Sequence, residues 1–151
     1  MLAAFCAMEG IAWLTHKYLM HGSMWFFHLD HHRPRKGFFE KNDWFFLIYA
    51  IPSWLSIMLG MIAHNYVPVW IGYGVSMYGL AYFMIHDVYI HRRFKWFRDI
   101  DHPYFIAIRK AHKVHHKHLS KEDGECFGML IVPRKYYIEA KETYKRKYGT
   151  K

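Results

Sequence analysis

Ten of the thirteen histidines in this chain fall into two copies of one compound pattern, H-x-x-x-x-H followed by H-x-x-H-H. The first copy is His16 and His21, then His28, His31 and His32; the second is His86 and His91, then His112, His115 and His116. Imidazole is the commonest protein ligand for zinc, copper and iron, and ten clustered rings exceed the roughly four that one tetrahedral ion takes. The pattern therefore points to two metal ions. Residues three and four apart share a helix face, so His28 with His31 or His32, and His112 with His115 or His116, can converge. The adjacent histidines of each doublet lie about 100° apart around a helix, which lets their rings serve two neighbouring ions. A five-residue step aligns less well, and each H-x-x-x-x-H calls for a helix end or an irregular turn. No catalytic residue is expected beyond the metal centre itself. Asp30 and Asp87, within or beside the histidine clusters, are candidates to hydrogen-bond and orient ligand rings.

The elements that must carry these residues are helical and apolar. The 151 residues suit one domain, but 53% hydrophobic and 20% aromatic content is high for a soluble one. The stretches 44–63 and 66–85 each run 20 residues without a charge, enough to cross a hydrocarbon core of roughly 30 Å as a helix. A third candidate span is 1–20, interrupted by Glu9 and closed by His16 and Lys17; with no basic segment before it and no clear cleavage site, it reads as a membrane helix rather than a signal peptide. Glu9 lies seven residues before His16, about two helical turns, on the same face. It is expected either to orient a ligand histidine or to sit near the outer headgroups. The predicted class is all-α: an integral membrane bundle of about three transmembrane helices with a histidine-rich cytoplasmic cap.

Charge placement sets the expected topology. All 21 Lys and Arg lie in residues 17–41 or 92–151, and excess Lys and Arg stay cytoplasmic. The first span then runs inward, the next two form a hairpin with His64-Asn65 at its tip, and every clustered histidine reaches the cytoplasmic side. The net charge of +9 suits anionic headgroups or an acidic protein partner, and no nucleic-acid-binding motif appears. A disulfide between Cys6 and Cys126 is not expected.

Other local signals are structural. Ser23 is a candidate start, and Pro34 a candidate stop, for a helix carrying His28, His31 and His32, with Arg33, Arg35 and Lys36 marking the interface. Asn42 and Asp43 are candidate caps of the second span, which Pro52 is expected to kink. Gly72, Ser76 and Gly79 form a small-residue stripe on the third. The segment 92–98 mixes basic and aromatic residues as interfacial segments do. Asp101 and Pro103 suggest the start of a helix on which Phe105, Ile108, His112 and His115 or His116 share a face, and a solvated helix without chemistry is expected from Arg134. His64, His102 and His118 are expected not to be ligands.

The segments MEGIAWLTHKYLMHG (Met8 to Gly22), HLDHH (His28 to His32), EKND (Glu40 to Asp43), MYGLAYFMIHDVYIH (Met77 to His91) and KAHKVHHK (Lys110 to Lys117) resemble the bacterial β-carotene 3-hydroxylase family, within the membrane fatty acid hydroxylase and sterol desaturase superfamily. The resemblance covers nearly the whole chain and keeps all ten histidines in order; it departs in a short lead-in before Glu9. It implies a non-haem di-iron centre that uses O2 to hydroxylate β-ionone rings at C3, taking β-carotene through β-cryptoxanthin to zeaxanthin with one oxygen atom leaving as water. Zinc can replace iron in such sites during expression. The chain has no nucleotide fingerprint and no cysteine set for an iron–sulfur cluster, so the two electrons must come from a separate donor, which the family implies to be a ferredoxin with its reductase. Hydroxylation or desaturation of a fatty acid or sterol is the alternative on the same scaffold, and a non-catalytic membrane metal-binding protein is another. The expected location is the inner membrane, and a homo-oligomer is left open.

Overall fold

The computed structural model describes residues 1–33 and 37–149. Pro34, Arg35 and Lys36 therefore lie outside the described residues, although the helix before them ends at His32 as a stop there requires. Among the described residues all regular structure is helical, with six α-helices: α1 Leu2–Leu14, α2 Trp25–His32, α3 Phe45–Ile62, α4 Tyr66–Phe83, α5 Pro103–His115 and α6 Arg134–Tyr148. Two of them widen at their C-terminal ends into π-helix. α1 continues through Thr15–Ser23, and α4 continues through Met84–Ile90.

The α3/α4 hairpin turns where the sequence places it. His64 takes φ 52° and the Asn65 side chain caps α4 by accepting from Val67 N–H. α4 sits between α3 and α1, and small residues permit both approaches. A methyl group at Gly72 would fall 2.6 Å from Ile57 of α3, and one at Gly74 would fall 2.5 Å from the Met1 carbonyl. Ser53 of α3 ties the hairpin by donating to the Gly72 carbonyl at 2.7 Å and sharing a hydrogen bond with Ser76. The expected Gly72–Ser76–Gly79 stripe is thus only partly a contact face, since Gly79 meets nothing within 4 Å and Gly74 serves the opposite side. Pro52 is accommodated inside α3.

Among the described residues one helical run, Lys41–Ile62, is long and apolar enough to cross a membrane; the expected spans 1–20 and 66–85 do not meet that criterion. Few residues of that run are buried, and Phe46, Ile51 and Trp54 stay exposed, which a buried core helix of a soluble protein would hide.

At the histidine end, α5 packs between the extension of α4 and α6. Ile108 meets Tyr89, Ile90 and Met129, while Ala107 and Ala111 meet Tyr136 and Ala140 of α6. α6 is therefore not simply a solvated tail. Its alanine-sized seam lets it lie close against α5, the helix that presents His112 and His115 and ends on His116 at its C-cap.

Candidate metal centre

The two π-helical stretches explain the five-residue histidine steps. A π-helix bonds residue i to i+5, and it is frequent at functional sites. His91 N–H donates to the His86 carbonyl at 2.9 Å, one such bond, and the same widening from Thr15 brings His16 and His21 onto one side of the helix. An ordinary α-turn would rotate the fifth residue away. Gly22, at φ −110° and ψ −115°, then breaks the helix so that α2 can fold back with its own histidines.

All ten histidines converge in two adjoining sets. His16, His21, His28, His32 and His115 form the first, and all five are buried. His31, His91, His112 and His116 form the second, which His86 joins through a 3.0 Å approach of its Nε2 to that of His31. The doublets divide between the sets as the 100° argument requires: His32 goes to the first and His31 to the second, His115 to the first and His116 to the second. The sets touch where the His32 and His116 rings stack, 4.6 Å apart.

The hydrogen bonds fix which nitrogen faces inward. In the first set every Nδ1–H donates outward: His16 to the Phe127 carbonyl (3.0 Å), His21 to Lys121 O (3.3 Å), His32 to His118 O (2.9 Å), His115 to Glu125 O (2.8 Å) and His28 to Asn42 Oδ1 (2.6 Å). A carbonyl can only accept, so these Nδ1 atoms carry the proton and each Nε2 is a bare lone pair. Those lone pairs nevertheless approach one another, His16 to His28 at 3.1 Å, His28 to His32 at 3.1 Å and His21 to His115 at 3.2 Å. In the second set His91 Nε2 and His116 Nε2 approach His112 Nε2 at 2.9 and 2.8 Å. Five buried lone pairs pointed at one spot repel unless a cation lies among them. Adjacent nitrogens around an ion at about 2.1 Å stand roughly 3 Å apart at right angles, matching these separations. The donor set thus fits a metal ion in each half.

Burial reinforces the neutral form. It pushes His28, His91, His115 and His116 down to about 2 and His32 to about 4, and holds His31 and His112 well below the usual imidazole range. Neutral imidazole is the form that binds metal. Phe127 covers His16, His21 and His115, and Trp25 covers His21 and His32, closing the first half with aromatic surface.

The acidic groups near the histidines act in different ways. Glu9 touches no histidine; its Oε1 accepts the backbone N–H groups of Met129, Leu130 and Ile131 at 2.9, 2.9 and 3.0 Å, and its Oε2 accepts from Tyr78 at 2.7 Å. It therefore pins the loop whose Phe127 carbonyl holds His16, acting on that ring through the backbone. Asp30 accepts the Lys41 backbone N–H at 2.8 Å, linking α2 to the turn before α3. Asp87 does accept from His86 Nδ1, at 3.3 Å. Glu40 and Asn42 carry more than helix capping, since Glu40 accepts a hydrogen bond from His31 Nδ1–H at 2.7 Å and Asn42 accepts one from His28 Nδ1–H. Of the other histidines, His118 contributes only its carbonyl and His102 caps α5. Cys6 and Cys126 are free thiols.

The sequence profile of the fatty acid hydroxylase family matches residues 1–132. The chain is 42% identical over 145 residues to a protein named beta-carotene hydroxylase from Pantoea ananas, an alignment covering 95% of this chain and 81% of that one. It is 37% identical over 138 residues to the one from Pseudescherichia vulneris, covering 89% and 76%. A chloroplastic beta-carotene 3-hydroxylase from Gentiana lutea is 35% identical over 136 residues, 88% of this chain and 42% of that longer protein. No solved structure matches.

Proposed function

The chain belongs to the fatty acid hydroxylase family, and from that premise we propose that it is a carotenoid β-ring hydroxylase, carrying β-carotene through β-cryptoxanthin to zeaxanthin at C3. Each hydroxylation takes one O2, two electrons and two protons, placing one oxygen atom on the ring carbon and releasing the other as water. The observation that carries this reading is the pair of five-imidazole sets with inward-facing lone pairs, in a chain akin to beta-carotene hydroxylases over almost its full length. Two iron ions held by the ten histidines would supply O2 activation when bound.

The protein's own groups orient the substrate and keep water out. An apolar groove of about 280 Å³ runs between α1, α3 and α4, lined by Met8, Ile11, Ile48, Pro52 and Val75. Tyr49, at the groove wall, hydrogen-bonds Thr15, the neighbour of His16. A ring and polyene entering from lipid would slide along this groove, with Phe127 and Trp25 keeping bulk water from the reacting end.

The single domain lies in the inner membrane as three spans, α1, α3 and α4 with their extensions. The confinement of Lys and Arg to 17–41 and 92–151 supports a cytoplasmic histidine end. Electrons come from a separate acidic donor of the ferredoxin class, steered by that basic face.

Chromatography of pigments from a bacterial host that accumulates β-carotene tests this. β-Cryptoxanthin and zeaxanthin are expected with the intact chain and not with His112→Ala. Unchanged β-carotene, with the iron-loaded protein present in the membrane, would overturn the carotenoid assignment in favour of a fatty acyl or sterol substrate.

A further inference from the structure

The two histidine sets are held by acceptors of different charge. In the first, all five Nδ1–H groups donate to uncharged oxygens, four backbone carbonyls and the Asn42 amide. In the second, His31 donates to the Glu40 carboxylate and His86 to the Asp87 carboxylate. Two carboxylates brought together beside a cavity of neutral rings repel unless a cation sits between them, and Arg93 does. Its Nη1 lies 2.9 Å from both Asp43 Oδ1 and Asp87 Oδ1, and its Nη2 lies 3.0 Å from Glu40 Oε2. The side chain is only 15% exposed.

The backbone aims it there. Arg92 adopts φ 54° just past the π-helix, and the Arg93 N–H folds back onto the Asp87 carbonyl at 2.9 Å. Asp43 in turn accepts the Glu40 backbone N–H at 2.9 Å, so the guanidinium, Glu40 and Asp43 lock one another across two distant segments. A planar guanidinium presents its donors in a rigid fork with fixed directions, whereas an ammonium is a point charge on a flexible stem.

We propose that Arg93 is a positioning residue that holds Glu40 and Asp87 against His31 and His86, and that it makes the two metal subsites electronically unequal, the second the richer in electron density. A carboxylate bonded to the far nitrogen of a ligand imidazole raises its basicity and fixes its ring, and losing such a partner typically weakens metal affinity 10–100-fold. The inference rests on the two-metal reading above. Arg93 then determines how strongly one ion is held while leaving the other to its carbonyl partners.

The test is Mössbauer spectroscopy, with iron quantitation, on the full chain purified and loaded anaerobically with ⁵⁷Fe(II). Wild type is expected to bind two irons in two distinct doublets of equal area. Arg93→Gln should deplete one doublet, its iron affinity falling 10–100-fold, and Asn42→Leu, which removes the His28 partner, should deplete the other. Arg93→Lys should retain both irons and shift only the doublet that Arg93→Gln depletes. This conservative variant decides the matter should Arg93→Gln fail to fold. Identical wild-type doublets, or Arg93 variants whose doublets are unchanged or equally affected, would overturn the inference. A wild-type chain binding fewer than two irons would instead overturn the two-metal reading, and this inference with it.

Discussion

Replacing Glu9 tests whether a single carboxylate in α1 supports the metal centre from a distance. Glu9 serves four donors, the backbone N–H groups of Met129, Leu130 and Ile131 and the Tyr78 hydroxyl. A hydrogen bond to a charged group contributes about 1.5–3 kcal/mol, but four bonds sharing one carboxylate do not add. Ile131 is 74% exposed, so its N–H regains water on loss of Glu9, whereas Met129 and Tyr78 are each 3% exposed and leave their donors stranded. Glu9→Leu is therefore expected to cost about 3–5 kcal/mol, and Glu9→Gln, which keeps a carbonyl oxygen, about 1–2 kcal/mol. The loss should concentrate in the 127–131 loop, releasing the Phe127 carbonyl from His16 and loosening the first histidine set. Denaturant unfolding in detergent micelles, paired with metal quantitation on the same samples, measures both effects. A Glu9→Leu protein with wild-type stability and wild-type metal content would refute this reasoning.

Asn42→Leu should weaken metal binding about 10–100-fold by stranding the His28 Nδ1 proton while Asn42→Asp retains binding, as read by competition with a chelator. Gly72→Val, placing a side chain 2.6 Å from Ile57, should destabilise the α3/α4 hairpin by about 1–3 kcal/mol, whereas Gly79→Ala, into open space, should leave stability equal or raised by up to about 1 kcal/mol in the same unfolding assay. Stripping metal with a chelator should lower the thermal unfolding midpoint, because metal at 1,000 times its dissociation constant contributes about 4 kcal/mol to the folded state. Restoring Fe(II) should bring the midpoint back.

The helical class, the hairpin tip and the grouping of ten histidines were legible in the sequence, because charge-free apolar runs and repeated imidazole spacings are one-dimensional signals. The division of each doublet between two sets of rings followed from helical geometry alone. The five-residue steps could not be resolved, since nothing in the types of His16 to His21 or His86 to His91 separates a widened helix from a helix end. The carbonyls of His118, Lys121, Glu125 and Phe127 were invisible for a simpler reason: every residue has one. Helical register left Glu9 as either a partner of His16 or a neighbour of the outer headgroups, but its carboxylate found three backbone donors from a loop 120 residues away. Arg93 read as one of several interfacial cations, and only the fold brings Glu40 and Asp43 to meet it beside Asp87.

Anomalous X-ray diffraction at the iron edge, from crystals of the full chain, tests the central claim most directly. Two peaks are predicted, one among the Nε2 atoms of His16, His21, His28, His32 and His115 and one among those of His31, His86, His91, His112 and His116. A single peak, or peaks away from these ten nitrogens, would contradict the account.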